Sequence, residues 1–178
     1  VLLVLKLQLR SDMGEMPLWL SWGCTILELF VGILIVGMAL REGIPGGGVP
    51  SGVARSAIGI AFALQILVGI ATWMHSAGMP FGNDWVARGM GCLTHDTTMI
   101  LPTFVVTMWL VFRALPMRAP MAGLLGGLGA AITGDAITHL LCPMSDLRHV
   151  LLWHTGAIIA FMATGWIVGT LWSRARWD

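Results

Sequence analysis

The chain has 178 residues, of which 57% are hydrophobic and 11% charged, and its net charge is +1. Soluble domains carry about 25% charged residues, so a mean hydropathy of +0.84 leaves too little polar surface for a water-soluble fold. The near-neutral charge argues against a nucleic-acid binder, and three cysteines are too few for a disulfide framework.

These values point to an all-α fold, a polytopic membrane helix bundle. A bilayer admits only structures that satisfy their backbone groups internally. The opening residues, VLLVLKLQLR, are apolar from the start. They are too few to span alone, since crossing takes about 20 residues, and no signal-peptide cleavage site follows. They read as the tail of a partial first helix. Five complete transmembrane helices are then expected over roughly 16–40, 55–76, 90–114, 118–141 and 148–172. The breaks have local causes. REGIPGGGVPSG combines charge, prolines and a glycine run, AGMPFGNDWVAR is rich in turn residues, and RALPMRAP and CPMSDLR are short and marked by proline. Short loops make consecutive helices antiparallel neighbours. The expected organisation is one helix-bundle domain over 1–178, without a cytoplasmic N-terminal segment ahead of it.

The loops alternate in charge. One side carries Arg41, Arg55, Arg113, Arg118, Arg174 and Arg176. The other carries Lys6, Arg10, Arg88 and Arg148, diluted by Asp12, Glu15, Asp84 and Asp146. The excess of Lys and Arg marks the cytoplasmic side, which places the C-terminus inside. Tryptophans cluster at the expected helix ends, as interfacial belts do. In the fourth complete helix, Gly123/Gly127 and Gly126/Ala130 are small residues four apart, a spacing that lets helix backbones approach. Packing inside the bundle is the first reading, and a homodimer face the second.

On this orientation all five histidines fall in the outer half. His75 ends one helix, Cys92, His95 and Asp96 open the next, and Asp135, His139 and Cys142 close the following one. Asp146 and His149 come after it, with His154 slightly deeper. Cys92 shares a helix face with His95 or Asp96, and Asp135 shares one with His139. Three chemistries suit this set. Cys92 and Cys142 can form a redox-active or metal-sensing thiol pair. Two thiolates with two imidazoles suit tetrahedral zinc or another soft metal. Two of His75, His95, His139, His149 and His154 can hold a b-type haem. The plain alternative is that the histidines are interfacial hydrogen-bonders and the cysteines small hydrophobes. Glu28, near the middle of its helix, needs a partner or a proton. Its neighbour Cys24 reads as packing. No nucleophile elbow, phosphate-binding glycine loop or HExxH occurs, so no enzyme is expected.

From Arg88 to Trp172 the chain resembles the NrsF-type family of six-helix inner-membrane anti-sigma factors. The segment that carries the resemblance is GCLTHDTTMILPTFVVTMWLVFRALPMRAPMAGLLGGLGAAITGDAITHLLCPMSDLRHVLLWHTGA. A cysteine opens a helix, a proline-bearing helix leads to RALPMRAP, a small-residue helix ends in LLCP, and Trp153-His154 opens the last. Where the family sets a histidine directly before the second cysteine, His139 here stands three residues ahead of it. The resemblance implies a bacterial inner-membrane negative regulator that sequesters an extracytoplasmic-function sigma factor. It also implies that Cys92 and Cys142 sense oxidants or heavy metals outside. The rivals are an integral subunit of a larger redox complex, binding haem or metal through the outer His and Cys residues, and a purely structural accessory subunit.

Overall fold

The computed structural model describes residues 9–44, 46–75 and 84–176. Among the described residues five long helices form: α1 (Trp19–Arg41), α2 (Ser51–His75), α3 (Trp85–Arg113), α4 (Ala119–His139) and α5 (Leu147–Ala175), each long and apolar enough to cross a membrane. No strand occurs among the described residues. The protein is therefore an all-helical membrane bundle. The partial first helix expected at the start falls mainly on residues 1–8, outside the described residues, as does most of the α2–α3 connection and Trp177.

Two helices start earlier than their sequences suggest. Ser51 and Gly52 read as loop, yet α2 begins directly after Pro50, whose carbonyl accepts from Ala54 N. The sequence starts the next helix near residue 90, yet α3 begins at Trp85, within the expected loop, and runs through Gly89 and Gly91. Gly89 is needed there, because a side chain on it would collide with the Trp153 indole of α5.

α4 is the axis of the molecule. It is buried nearly all round, whereas the other spans each bury one face. It packs on α5, α1 and α3, while α2 lies at the periphery. A helix with three close neighbours must be thin, and its composition supplies this. A methyl on Gly123 or Gly127 would overlap the Gly165 or Phe161 carbonyl oxygen of α5, and one on Gly169 would overlap that of Ala119. Gly129 meets Gly32 and Val36 of α1, and Gly134 meets Ile100 of α3. Gly126 faces Thr107 and Met108 of α3, and Ala130 is fully buried. All four small residues expected to mediate helix packing thus pack within the bundle.

Polar clamps hold both ends. At the arginine-rich end, Arg118 donates to both carboxylate oxygens of buried Glu42 and to the Val49 carbonyl, and Val49 N donates to Glu42 (2.7 Å). This joins the α1–α2 and α3–α4 loops. At the other end, buried Arg10 pairs with Asp12 and donates to Ser145 Oγ (2.7 Å), and its backbone N donates to the Leu140 carbonyl. The segment ahead of α1 therefore straps down the α4–α5 loop. Aromatic pairs mark both ends: Trp19 with His75 and Trp85 with Trp153 at one, Phe112 with Trp172 at the other.

Candidate functional site

The residues with chemistry converge at the Arg10 end. Cys92 comes from the second turn of α3. Cys142 comes from the α4–α5 loop, where its backbone N still donates to the Thr138 carbonyl (2.8 Å) before Pro143 turns the chain. The two sulfurs lie 2.9 Å apart across 50 residues of sequence. Cys142 is buried, and Cys92 is partly exposed.

Two histidines of α5 complete this group. His149 Nε2 lies 3.5 Å from Cys142 Sγ. His149 and His154 are five positions apart, which in a regular α-helix separates two side chains by about 140°. The turn Val150–His154 is π-helical. The wider turn, with its i→i+5 bonds, closes that gap, and the two rings meet edge to face at 5.4 Å. One donor atom each from Cys92, Cys142, His149 and His154 lies within 4.8 Å of the other three.

Behind the thiols stands a buried carboxylate layer. His154 donates from Nδ1 to Asp135 Oδ1 (2.7 Å), and Gln65 of α2 donates to Asp135 Oδ2 (2.7 Å). Thr138 donates to Asp96 Oδ1 (3.1 Å). Asp96, Asp135 and His154 form a second close group sharing His154 with the first. Asp96 Oδ2, Glu28 Oε2 and Gln65 Oε1 are buried without a hydrogen-bond partner among the described residues. Glu28, Gln65, Asp135, His139, Cys142 and His154 line one cavity between α2 and the rest of the bundle.

The other expected site residues lie apart. His75 is exposed at the end of α2, bonded to its own Ala71 carbonyl and set edge-on against Trp19. His95 is exposed on α3. His139 is a strut between helices, with Nδ1 3.3 Å from Thr25 Oγ1 of α1 and Nε2 3.2 Å from Thr72 Oγ1 of α2. Its Nδ1 also lies 3.9 Å from Glu28 Oε2. Asp96 joins the carboxylate layer. Gln65 and Thr138 were not singled out by sequence. The signal for Gln65 was available: it is the one side-chain amide in an otherwise apolar span, and such groups usually face a partner helix.

The loop residue Cys142 has a raised thiol pKa. The adjacent Cys92 sulfur is the larger cause and burial the next, partly opposed by His149. Cys142 is thus held as a thiol at neutral pH. The more exposed Cys92 is the sulfur that reagents meet first. The set can exchange a dithiol for a disulfide with little movement, since an S–S bond of about 2.05 Å is less than 1 Å shorter than the contact present. It also offers two sulfur and two imidazole donors to a soft metal.

Compared with models of protein families, the chain matches the one described as NrsF, negative regulator of sigma F, over residues 1–177. The match takes in all five helices, not the C-terminal half alone. No curated protein and no solved structure matches the chain.

Proposed function

From the premise that the chain belongs to the NrsF family, negative regulators of sigma F, we propose that it is a thiol-based stress sensor of a bacterial inner membrane. It restrains an extracytoplasmic-function sigma factor and releases it when the cysteine pair reacts. The excess of Arg at the end of the bundle opposite Cys92 and Cys142 supports an arrangement with the arginines and C-terminus in the cytoplasm and the thiols outside. Signals are oxidants and heavy metals that reach the outer face. A peroxide takes two electrons from the pair: the two thiols become a disulfide, and their protons leave with the peroxide oxygens as two waters. A heavy-metal ion instead bridges the two sulfurs and displaces their protons.

The observation that carries this reading is the 2.9 Å separation of two sulfurs from different elements. A bond between them ties α3 to the α4–α5 loop. His149 and His154 touch this pair, and Asp135 passes any shift on to Gln65 of α2. A local covalent event can thereby bias a two-state bundle.

The test is a sigma-dependent reporter in cells carrying Cys92→Ser, Cys142→Ser or both. Each variant should keep the reporter silent at rest and lose its induction by peroxide and by cadmium. Full induction in both single variants would overturn the proposal.

A further inference from the structure

We propose that Cys92, Cys142, His149 and His154 form a closed four-ligand site for a divalent zinc ion. Asp135 orients His154 from behind. The inference rests on the thiol reading and deepens it by completing the ligand set that the reduced pair offers.

The geometry points to this ion in four ways. First, the donors are two sulfurs and two imidazole nitrogens, the soft and borderline set that tetrahedral zinc takes. Second, the spacings fit. Zinc bonds of about 2.3 Å to sulfur and 2.0–2.1 Å to nitrogen require tetrahedral edges of roughly 3.8 Å between sulfurs and 3.6 Å between sulfur and nitrogen. Cys142 Sγ and His149 Nε2 are already 3.5 Å apart, all four donors lie within 4.8 Å of one another, and the sulfurs need only open by about 1 Å from 2.9 Å. Third, the Nδ1 of His154 is committed to Asp135, which leaves Nε2 for the ion. A carboxylate behind a ligating imidazole fixes its tautomer and raises its basicity. Fourth, charge balances. Two thiols bind the ion with loss of two protons, so the dication and two thiolates sum to zero where an unpaired charge would be costly.

The π-helical turn of α5 has a reason on this view, since it alone brings His149 and His154 to one side. The group Asp96, Asp135 and His154 is the weaker candidate. It has three donors, and Asp135 already accepts from Gln65 and His154.

The test uses the full chain in detergent, purified reduced and stripped of metal. Titration with cobalt(II) should give the absorption of tetrahedral thiolate–cobalt at one equivalent, and zinc should bleach it. Zinc-edge X-ray absorption on the wild-type chain should find two sulfurs and two imidazole nitrogens. This readout needs no variant and is independent of any folding defect. Asp135→Asn should weaken zinc about 10–100-fold, and His149→Gln and His154→Gln should weaken it more. His75→Gln and His95→Gln, on exposed residues outside the group, should leave affinity unchanged. A shell of sulfur and oxygen only, or affinity indifferent to both His149→Gln and His154→Gln, would overturn the inference. The two readings fail separately. Induction that survives loss of both cysteines refutes the sensor whatever zinc does. Thiol-dependent induction in a chain that takes up neither cobalt nor zinc refutes the zinc site alone.

Discussion

At the scale of single residues, the two cysteines differ in kind. Cys142 is buried with its thiol held above the ordinary range, by the Cys92 sulfur first and by burial second, while Cys92 is partly exposed. The thiolate is the reactive form. Cys92 should therefore be alkylated first at about pH 7, with Cys142 following only as pH rises past the ordinary thiol range of about 8.5. Mass spectrometry after maleimide labelling over a pH series checks this, and equal labelling at neutral pH would contradict it. Arg10 acts at a distance on the same cysteine, through its bonds to Ser145 and the Leu140 carbonyl. Arg10→Ala removes the guanidinium from Ser145 and Asp12. It should cost about 1–3 kcal/mol and speed labelling of Cys142 by loosening its loop. Arg10 also holds the Asp12 carboxyl below its ordinary range. A lowered carboxyl pKa stabilises the fold above the unfolded value and loses that contribution as pH falls through the folded one. Wild type and Asp12→Asn should therefore differ in thermal midpoint at neutral pH and converge only in strong acid, below about pH 4.

At the scale of the elements, backbone proximity controls how α4 packs. Gly123 and Gly165 approach so closely that either Cβ would overlap the other's carbonyl oxygen, while Gly37 and Gly59 have open space around them. Gly123→Ala and Gly165→Ala should each lower stability by about 1–3 kcal/mol through overpacking. Gly37→Ala should be neutral or stabilise by up to about 1 kcal/mol, because alanine favours the helix. Thermal unfolding in one detergent compares them directly, and equal effects at Gly37 and Gly165 would refute this account. The GxxxG spacing in α4 was legible in the sequence because it recurs on one helical face. Its partners, Gly165 and Gly169 of α5, were less so, since one helix does not say which neighbour it meets. The histidines tell the same story. His149 and His154 sit five apart, a spacing that regular helical phase assigns to different faces, and only the π-helical turn unites them. His139 has helical spacing to both Asp135 and Cys142, yet its ring bonds Thr25 and Thr72 instead.

At the scale of the whole molecule, α2 is the helix held least by packing, and polar contacts help to fix it. It touches the bundle lightly, and two of its bonds across the interface run from Gln65 to Asp135 and from Thr72 to His139. Gln65→Leu should leave the packing of α1, α3, α4 and α5 intact but raise hydrogen exchange along α2. It should also cost about 1–3 kcal/mol, because Asp135 loses a buried partner. Unchanged exchange in α2 would show that apolar contacts suffice to hold it. Composition and run length alone determined that this is a helical membrane bundle and roughly where its spans lie. In a bilayer every backbone group must be satisfied within its own helix, so the apolar runs dictate the elements. The positions of the cysteines near two helix ends on one side also followed from chain order and short loops. Only the tertiary structure decided which titratable residues meet: Cys92 and Cys142 with His149 and His154, Asp135 with Gln65, Asp96 with Thr138, and neither His75 nor His95 with any of them. The reason is physical. Side-chain meetings depend on the rotation of each helix about its axis, and that rotation is set by glycine contacts between backbones and, for His149 and His154, by the wide turn of α5, neither of which spacing along a single chain specifies.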